Sequence, residues 1–325
     1  MISRRLFAAG TVLGALSVTA GLPVYADSYP DRPIKFVVPF TAGGITDNLA
    51  RVTGQYASKA LSQPIIVDNR PGAGGGLAAM AVAQSAADGY TIFLGTQGTQ
   101  AANFALYKNL RYKEGDFRAV QGLMAVPNVV VVNASTPYKN LAELVAFAKK
   151  NPEKLTYSSP GVGTGAHLAA ELFQTVAGIK LRHVPYKGSA GSITDLLAGN
   201  IDLSFDYPAT TVQHIKAGKL RAIAVTGTER TAALSDVPTM SQLGYPSATA
   251  ESWTGIFVPR NTPDAVVQKL QAAFAQSIED KGVQEKIVEF GGVPMRKSGK
   301  VFEAFAHDEV VKWKHVVEKS GATLD

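Results

Sequence analysis

The chain has 325 residues, with 32 Lys and Arg against 26 Asp and Glu, a formal net charge of +6. Its charges are scattered, with no polybasic arm and no basic patch interleaved with aromatics. That argues against a nucleic-acid partner and leaves a mild positive field suited to anionic solutes. There is no cysteine, which excludes disulfides, thiolate metal sites and the acylated cysteine of a lipoprotein.

Residues 1–26 read as a secretory signal peptide. Arg4 and Arg5 precede the apolar stretch from Leu6 to Leu22, and Val24-Tyr25-Ala26 resembles a peptidase site, so cleavage is expected after Ala26. Broken by Gly10, Gly14 and Gly21 and ended by Pro23, the stretch is marginal for a membrane span of roughly 20 apolar residues. The start also resembles a twin-arginine signal, so either export route fits. Cleavage removes two positive charges, leaving +4, and a mature chain of 299 residues, a length typical of two domains. A soluble, periplasmic protein is expected.

From Ile34 onward, strand-like and helix-like runs alternate. Ile34, Phe36, Val37 and Val38 suggest a buried strand. Leu49, Val52, Thr53, Tyr56, Ala57, Ala60 and Leu61 mark one face of a helix. Next come Ile65 to Val67, a glycine-rich loop at 69–76, a helix from Leu77 to Ala86, and a strand from Thr91 to Leu94. A second series follows: strand Val129 to Val132, helix to Asn151-Pro152, strand Leu155 to Tyr157, a helix carrying His167 to Val176, strand His183 to Pro185, a helix through Ile193 and Leu197, strand Ile201 to Phe205, a helix through Val212 and Ile215, and strand Leu220 to Val225. Trp253 to Pro259 is strand-like, and the remainder reads as three helices. This rhythm argues for α/β architecture with mainly parallel sheets. The terminal helices have little sheet of their own and are expected to return to the first series. That gives domain 1 as 27–125 plus 253–325, domain 2 as 126–252, and a hinge near Pro127 and Ser252.

Three loops enter helices from the carboxyl ends of strands: Thr41 to Asp47, Ser158 to Thr164, and Lys187 to Ala190. Ligands of open α/β sheets sit at such places, and uncapped helix starts with glycine suit a carboxylate or phosphate. Gly43 and Gly44 serve either a tight turn or close approach to a guest. Asp47 has two readings, ligand contact or favourable placement at a helix start. His167 is either held by Glu171, one turn along its helix, or touches the ligand. Asp206, after the strand to Phe205, is a further candidate for the cleft, and Trp253 reads as core. Neither a Walker loop, a G-x-S-x-G elbow nor H-E-x-x-H occurs, and the five histidines are not spaced as metal ligands. Neither catalysis nor a metal or other cofactor is therefore expected.

The segments PFTAGGITDNLAR, NRPGAGGG, ADGYTIFLG, YSSPGVGTGAHLAAELF, HVPYKGSAGSITDLLAGNIDLSFD, AGKLRAIAV, DVPTM and SWTGIFVP, with Arg230, resemble the Bug-type solute receptors of tripartite tricarboxylate transporters across the mature chain. The resemblance implies a type II periplasmic-binding-protein fold, two α/β domains closing on a small carboxylate for delivery to a membrane permease. By matched position it implies a site of Phe40, Thr41, Gly43, Gly44 and Asp47 facing Ser158, Ser159, Gly163, Thr164, His167, Ser189 and Ala190. Gln242 departs from the family's usual glutamate, and Arg260-Asn261 from its usual small pair. Selectivity is expected from the far end of the cleft, where Thr96, Gln97, Thr99, Asp206 and Tyr207 stand. The sequence leaves the acid unnamed. It does not separate delivery to a permease from presentation to a sensor kinase, and an exported α/β hydrolase is the remaining alternative. A monomer is expected.

Overall fold

The computed structural model describes residues 29–320; the expected signal peptide lies outside the described residues. In chain order the elements are β1 (Ile34–Val38), α1 (Ile45–Leu61), β2 (Ile65–Asn69), α2 (Gly76–Ala83), β3 (Thr91–Thr96), a π-helical turn at Gly98–Ala102, α3 (Asn103–Leu106) and β4 (Phe117–Pro127). The second series is β5 (Val129–Asn133), α4 (Leu141–Lys150), β6 (Thr156–Ser159), α5 (Gly165–Ala177), β7 (Arg182–Pro185), α6 (Ser189–Ala198), β8 (Leu203–Asp206), α7 (Pro208–Lys216) and β9 (Leu220–Val225). The chain then returns through β10 (Glu251–Pro259), α8 (Asp264–Glu279), α9 (Lys281–Glu289), β11 (Val293–Pro294) and α10 (Gly299–Ser320).

Two sheets result, ordered β11-β4-β10-β3-β1-β2 and β7-β6-β8-β5-β9. Neither is as parallel as the alternating pattern suggested. β1, β2 and β3 run parallel, but β10 is antiparallel to both β3 and β4. In the second sheet β5 is antiparallel to β8 and β9. The inverted strands are those by which the chain enters or re-enters a sheet after crossing, so they come from the opposite direction and pair without a helical crossover. The 11-residue β4 was missed by period reading because both its faces are buried and Gln121-Gly122 interrupts its apolar run.

Side-chain spacing explains the layers. α1 turns Leu49, Ala50, Thr53, Gly54, Ala57 and Leu61 inward, and with α8 and α9 it covers one face of the first sheet around Phe36, Ile92, Ile256 and Phe274. α6 and α7 cover a smaller core on the second sheet around Val129, Val131, Ile193 and Leu196. The remaining faces of both sheets share one apolar cluster running from Val37 and Phe93 through Trp253, Phe302 and Trp313 to Tyr157, Phe173 and Phe205. α10 belongs to this shared layer, packing on β4 and α3 of the first sheet and on α5 of the second.

The crossings meet at Asn128, which is fully buried. Its N–H donates to Thr226 Oγ1 at 2.8 Å, Thr226 N–H donates to Asn128 O at 2.9 Å, and Ala250 N–H donates to Thr226 O at 2.8 Å. Ser252 Oγ donates to Asn128 Oδ1 at 3.3 Å. Beyond this knot β10 follows β4 for its whole length, with register shifts on either side of Gly255 and Ile256. A methyl group on Gly255 would lie 2.2 Å from Phe302 Cζ and 2.8 Å from the Gln121 carbonyl oxygen. Gly255→Ala is therefore expected to cost about 1–3 kcal/mol through overpacking, seen as a lower urea midpoint at unchanged m-value.

Candidate functional site

After β1 the chain turns through Pro39 and Phe40 into the exposed stretch Thr41 to Gly44. Gly43 has φ 84°, a left-handed conformation that glycine enters without steric cost. Its N–H donates to Asp47 Oδ2 at 2.8 Å, and Arg51 meets the same carboxylate through Nε at 3.0 Å and, on Oδ1, through a nitrogen at 3.0 Å. Burial alone would raise the pKa of Asp47; Arg51, the Gly43 N–H and Asn69 outweigh it and hold the carboxyl below its usual range. Asn69 also donates to Phe40 O at 3.0 Å. Asp47 is thus spent on fixing the loop. No side chain caps Gly44, so the first-turn N–H groups of α1 are the loop's anion-seeking feature.

The second sheet presents two adjoining loops. Gly188 N–H donates to Pro160 O at 2.8 Å and Tyr186 N–H to Ser159 O at 3.1 Å, which ties them together. Here too most side chains are spent internally. Ser158 Oγ lies 2.7 Å from Ser192 Oγ, Ser159 Oγ 2.8 Å from His183 Nε2, and Thr164 Oγ1 donates to Gly161 O at 2.7 Å while accepting from His167 N–H at 3.4 Å. Gly163, at φ 77°, donates its N–H to His167 Nδ1 at 3.3 Å. Ala190, at the start of α6, is exposed, and no side chain caps that helix at Gly188.

His167 is not held by Glu171, which instead bonds Tyr157 and Gln174. Its ring stacks on His183 at 4.4 Å between centroids, and His183 stacks on Tyr157 at 4.5 Å. Burial, with the neighbouring His183, pushes the pKa of His167 down to about 3, and burial pushes that of His183 to about 4. Both rings are neutral near pH 7. Asp206 goes the other way. Burial raises its pKa to about 6 against the opposing donors Ser189, Tyr207 N–H and Thr210, all bonded to Oδ1 at 2.6–2.8 Å, while Oδ2 meets no protein donor. Thr96 is buried, with its hydroxyl and N–H engaged by Thr99 in the π-helical turn.

Within the first group of loops a methyl on Gly75 would lie 2.8 Å from Pro39 Cβ; between the two groups the backbones come close, since one on Gly98 would lie 2.3 Å from Gly163 O. One on Gly163 would stand 3.3 Å from Asn103 Oδ1 and 4.0 Å from Gly74 Cα. Gly98 and Asn103, in and just after the π-helical turn, were not singled out in the sequence. Gln242 accepts from Arg230 Nε at 2.9 Å and from Thr239 N–H at 3.1 Å. Arg260 pairs with Glu303 on α10 at 2.6 Å.

The histidine pair has a testable signature. A pKa lowered on folding means that the unfolded chain binds more protons between the two values. The stabilisation is complete above about 6.5 and is lost as pH falls through about 4 toward 3. The urea midpoint is expected to drop between pH 6.5 and 4, and His183→Phe, which keeps the stack, to make that drop shallower. Asp206 contributes the opposite slope, its stabilisation being lost as pH rises through about 6.

The profile described as "Tripartite tricarboxylate transporter family receptor" matches residues 49–322. Protein BugT of Bordetella pertussis is 36% identical over 317 residues, covering 96% of this chain and 97% of BugT. The solved structure of R. palustris Rpa4515 with adipate superposes with TM-score 0.82 at 35% identity, covering 90% of this chain and 98% of that one. MatC from Rhodopseudomonas palustris with bound malate gives 0.81 at 31% identity, covering 89% and 100%. The fold is that of the two-domain periplasmic binding proteins, and the chain belongs to the tripartite tricarboxylate transporter family of receptors.

Proposed function

We propose that this receptor works in the periplasm after cleavage at Ala26, closing on a small organic carboxylate and presenting it to the membrane permease of a tripartite tricarboxylate-type transporter. Its lobes are 27–125 with 253–325, and 126–252, hinged beside Asn128 and Ser252. The observation that carries the reading is the pair of uncapped helix starts, α1 after Gly44 and α6 after Gly188, with the Gly161–Thr164 turn beside the second. The two helix starts offer backbone N–H groups to an anion, while the turn has its Gly161, Gly163 and Thr164 N–H groups bonded internally and is held in shape by the hydroxyls of Ser159 and Thr164. Relatives whose solved structures hold adipate and malate make dicarboxylates the first acids to try.

A ligand shifts the open and closed populations only by its greater affinity for one of them, so capture and recognition by the permease are two readings of one equilibrium. Binding of this kind needs no nucleophile, and in the neutral His167–His183 pair one ring nitrogen of each is committed, His167 Nδ1 to Gly163 and His183 Nε2 to Ser159.

The test is a thermal-shift screen of mono-, di- and tricarboxylates, followed by native mass spectrometry of the complex. An acid held at one hundred times its Kd adds about 2.7 kcal/mol of stability, and one molecule per chain, recovered unchanged, is the expected result. No shift with any acid, or an acid consumed on incubation, would sink the receptor reading. Gly163→Val forces a branched side chain into φ 77° beside Asn103 and is expected to lower affinity at least tenfold. Gly218→Val, in a comparably left-handed position at φ 67° but at the amino end of β9, is expected to leave affinity unchanged. Equal affinities in the two variants would refute the assignment of the glycine loop.

A further inference from the structure

The chain contains two tryptophans, and both donate their indole N–H to one oxygen, Glu309 Oε2. Trp253 of β10 and Trp313 of α10 each lie 2.9 Å from it. A third donor, Gln97 Nε2, approaches the same oxygen at 3.2 Å, and Lys312 Nζ faces Oε1 at 3.3 Å. Glu309 is only 8% exposed, so this carboxylate is a buried hub rather than a surface charge.

Its consequence for Gln97 is chemical. A side-chain amide has one acceptor oxygen and two N–H donors, and its orientation is set by its neighbours. Here Nε2 faces two acceptors, the Glu251 carbonyl at 3.1 Å and Glu309. The oxygen must point the other way, toward the first residue of α5. A methyl on Gly165 would lie 2.8 Å from Gln97 Oε1 and 1.8 Å from Ser252 Oγ. Gln97 Oε1 is buried and meets no protein donor, yet it stands at a helix start, where an acceptor is electrostatically favoured.

We propose that Glu309 is a positioning residue that locks Gln97 with its acceptor oxygen against the start of α5, so that the last helix sets how the first lobe meets the glycine loop of the second. Its link to binding rests on reading the space between the lobes as the ligand cleft, but the contact itself does not. Glu309 acts through Gln97, 212 positions away in sequence, and through Trp253 on the returning strand.

The test is hydrogen exchange read by mass spectrometry on the mature chain without ligand, comparing wild type, Glu309→Gln, Gln97→Ala and the double variant. Amides of residues 165–168 are expected to exchange at least ten times faster in each single variant. The double variant should be no faster than either, because both changes break one line of contacts. Tryptophan emission should shift in the Glu309 variant, since its carboxylate serves both indoles. Acceleration confined to α10 and β10 with α5 unchanged overturns the proposal, as does an additive double variant. Where Glu309→Gln does not fold, Glu309→Asp withdraws the carboxylate by one methylene and is read by the same two outcomes. The measurement needs no acid, so a chain that binds no carboxylate would end the receptor reading while leaving this inference to stand or fall separately.

Discussion

Buried backbone must be hydrogen-bonded, and at Asn128 that requirement joins the two halves of the molecule. The chain leaves the first sheet there and returns beside it at Ser252, so the only protein groups able to satisfy the crossing peptides belong to neighbouring crossings. Thr226 supplies both a hydroxyl and backbone partners, and Ala250 extends the ladder. A buried polar group left without a partner costs about 1–3 kcal/mol, which makes the crossing cooperative: none of its peptides can change alone. Each sheet inherits an inverted strand from it, and the loops lie at the carboxyl ends of strands further across each sheet, β1 in the first and β6 and β7 in the second.

On this frame the candidate site is made mostly of neutral groups. Hydroxyls hold loops, two stacked imidazoles stay uncharged under the glycine turn, and the buried Asp206 is the exception, its pKa raised to about 6 by burial and its carboxylate held by three donors. Asp47 and Arg51 cancel each other at the mouth of α1. Such an arrangement leaves helix ends and peptide N–H groups as the main source of positive potential. Those dipoles are fixed in place and need no reorganisation when an anion arrives.

Much of this could be read from local sequence because it depends on local chemistry. Strand, glycine and helix start follow one another within about ten residues in each of the three loops, and spacing alone located them. What escaped was non-local. β4 has no clean period because both faces are covered. The partner of Glu171 proved to be Tyr157 on a neighbouring strand rather than His167 one turn away. Mainly parallel sheets were expected because alternation says nothing of the direction from which a crossing strand enters. Gln97 carries no mark of Glu309, whose position on the last helix only the folded chain reveals.

The spending of side chains on loop construction has a consequence for how such receptors diversify. Where an anion is gripped by peptide groups, substitutions among the surrounding residues leave the grip untouched as long as the loop keeps its shape. Chemical selectivity is then free to change elsewhere without each new preference having to rebuild the capture of charge. One frame can thus drift between acids by altering a few side chains.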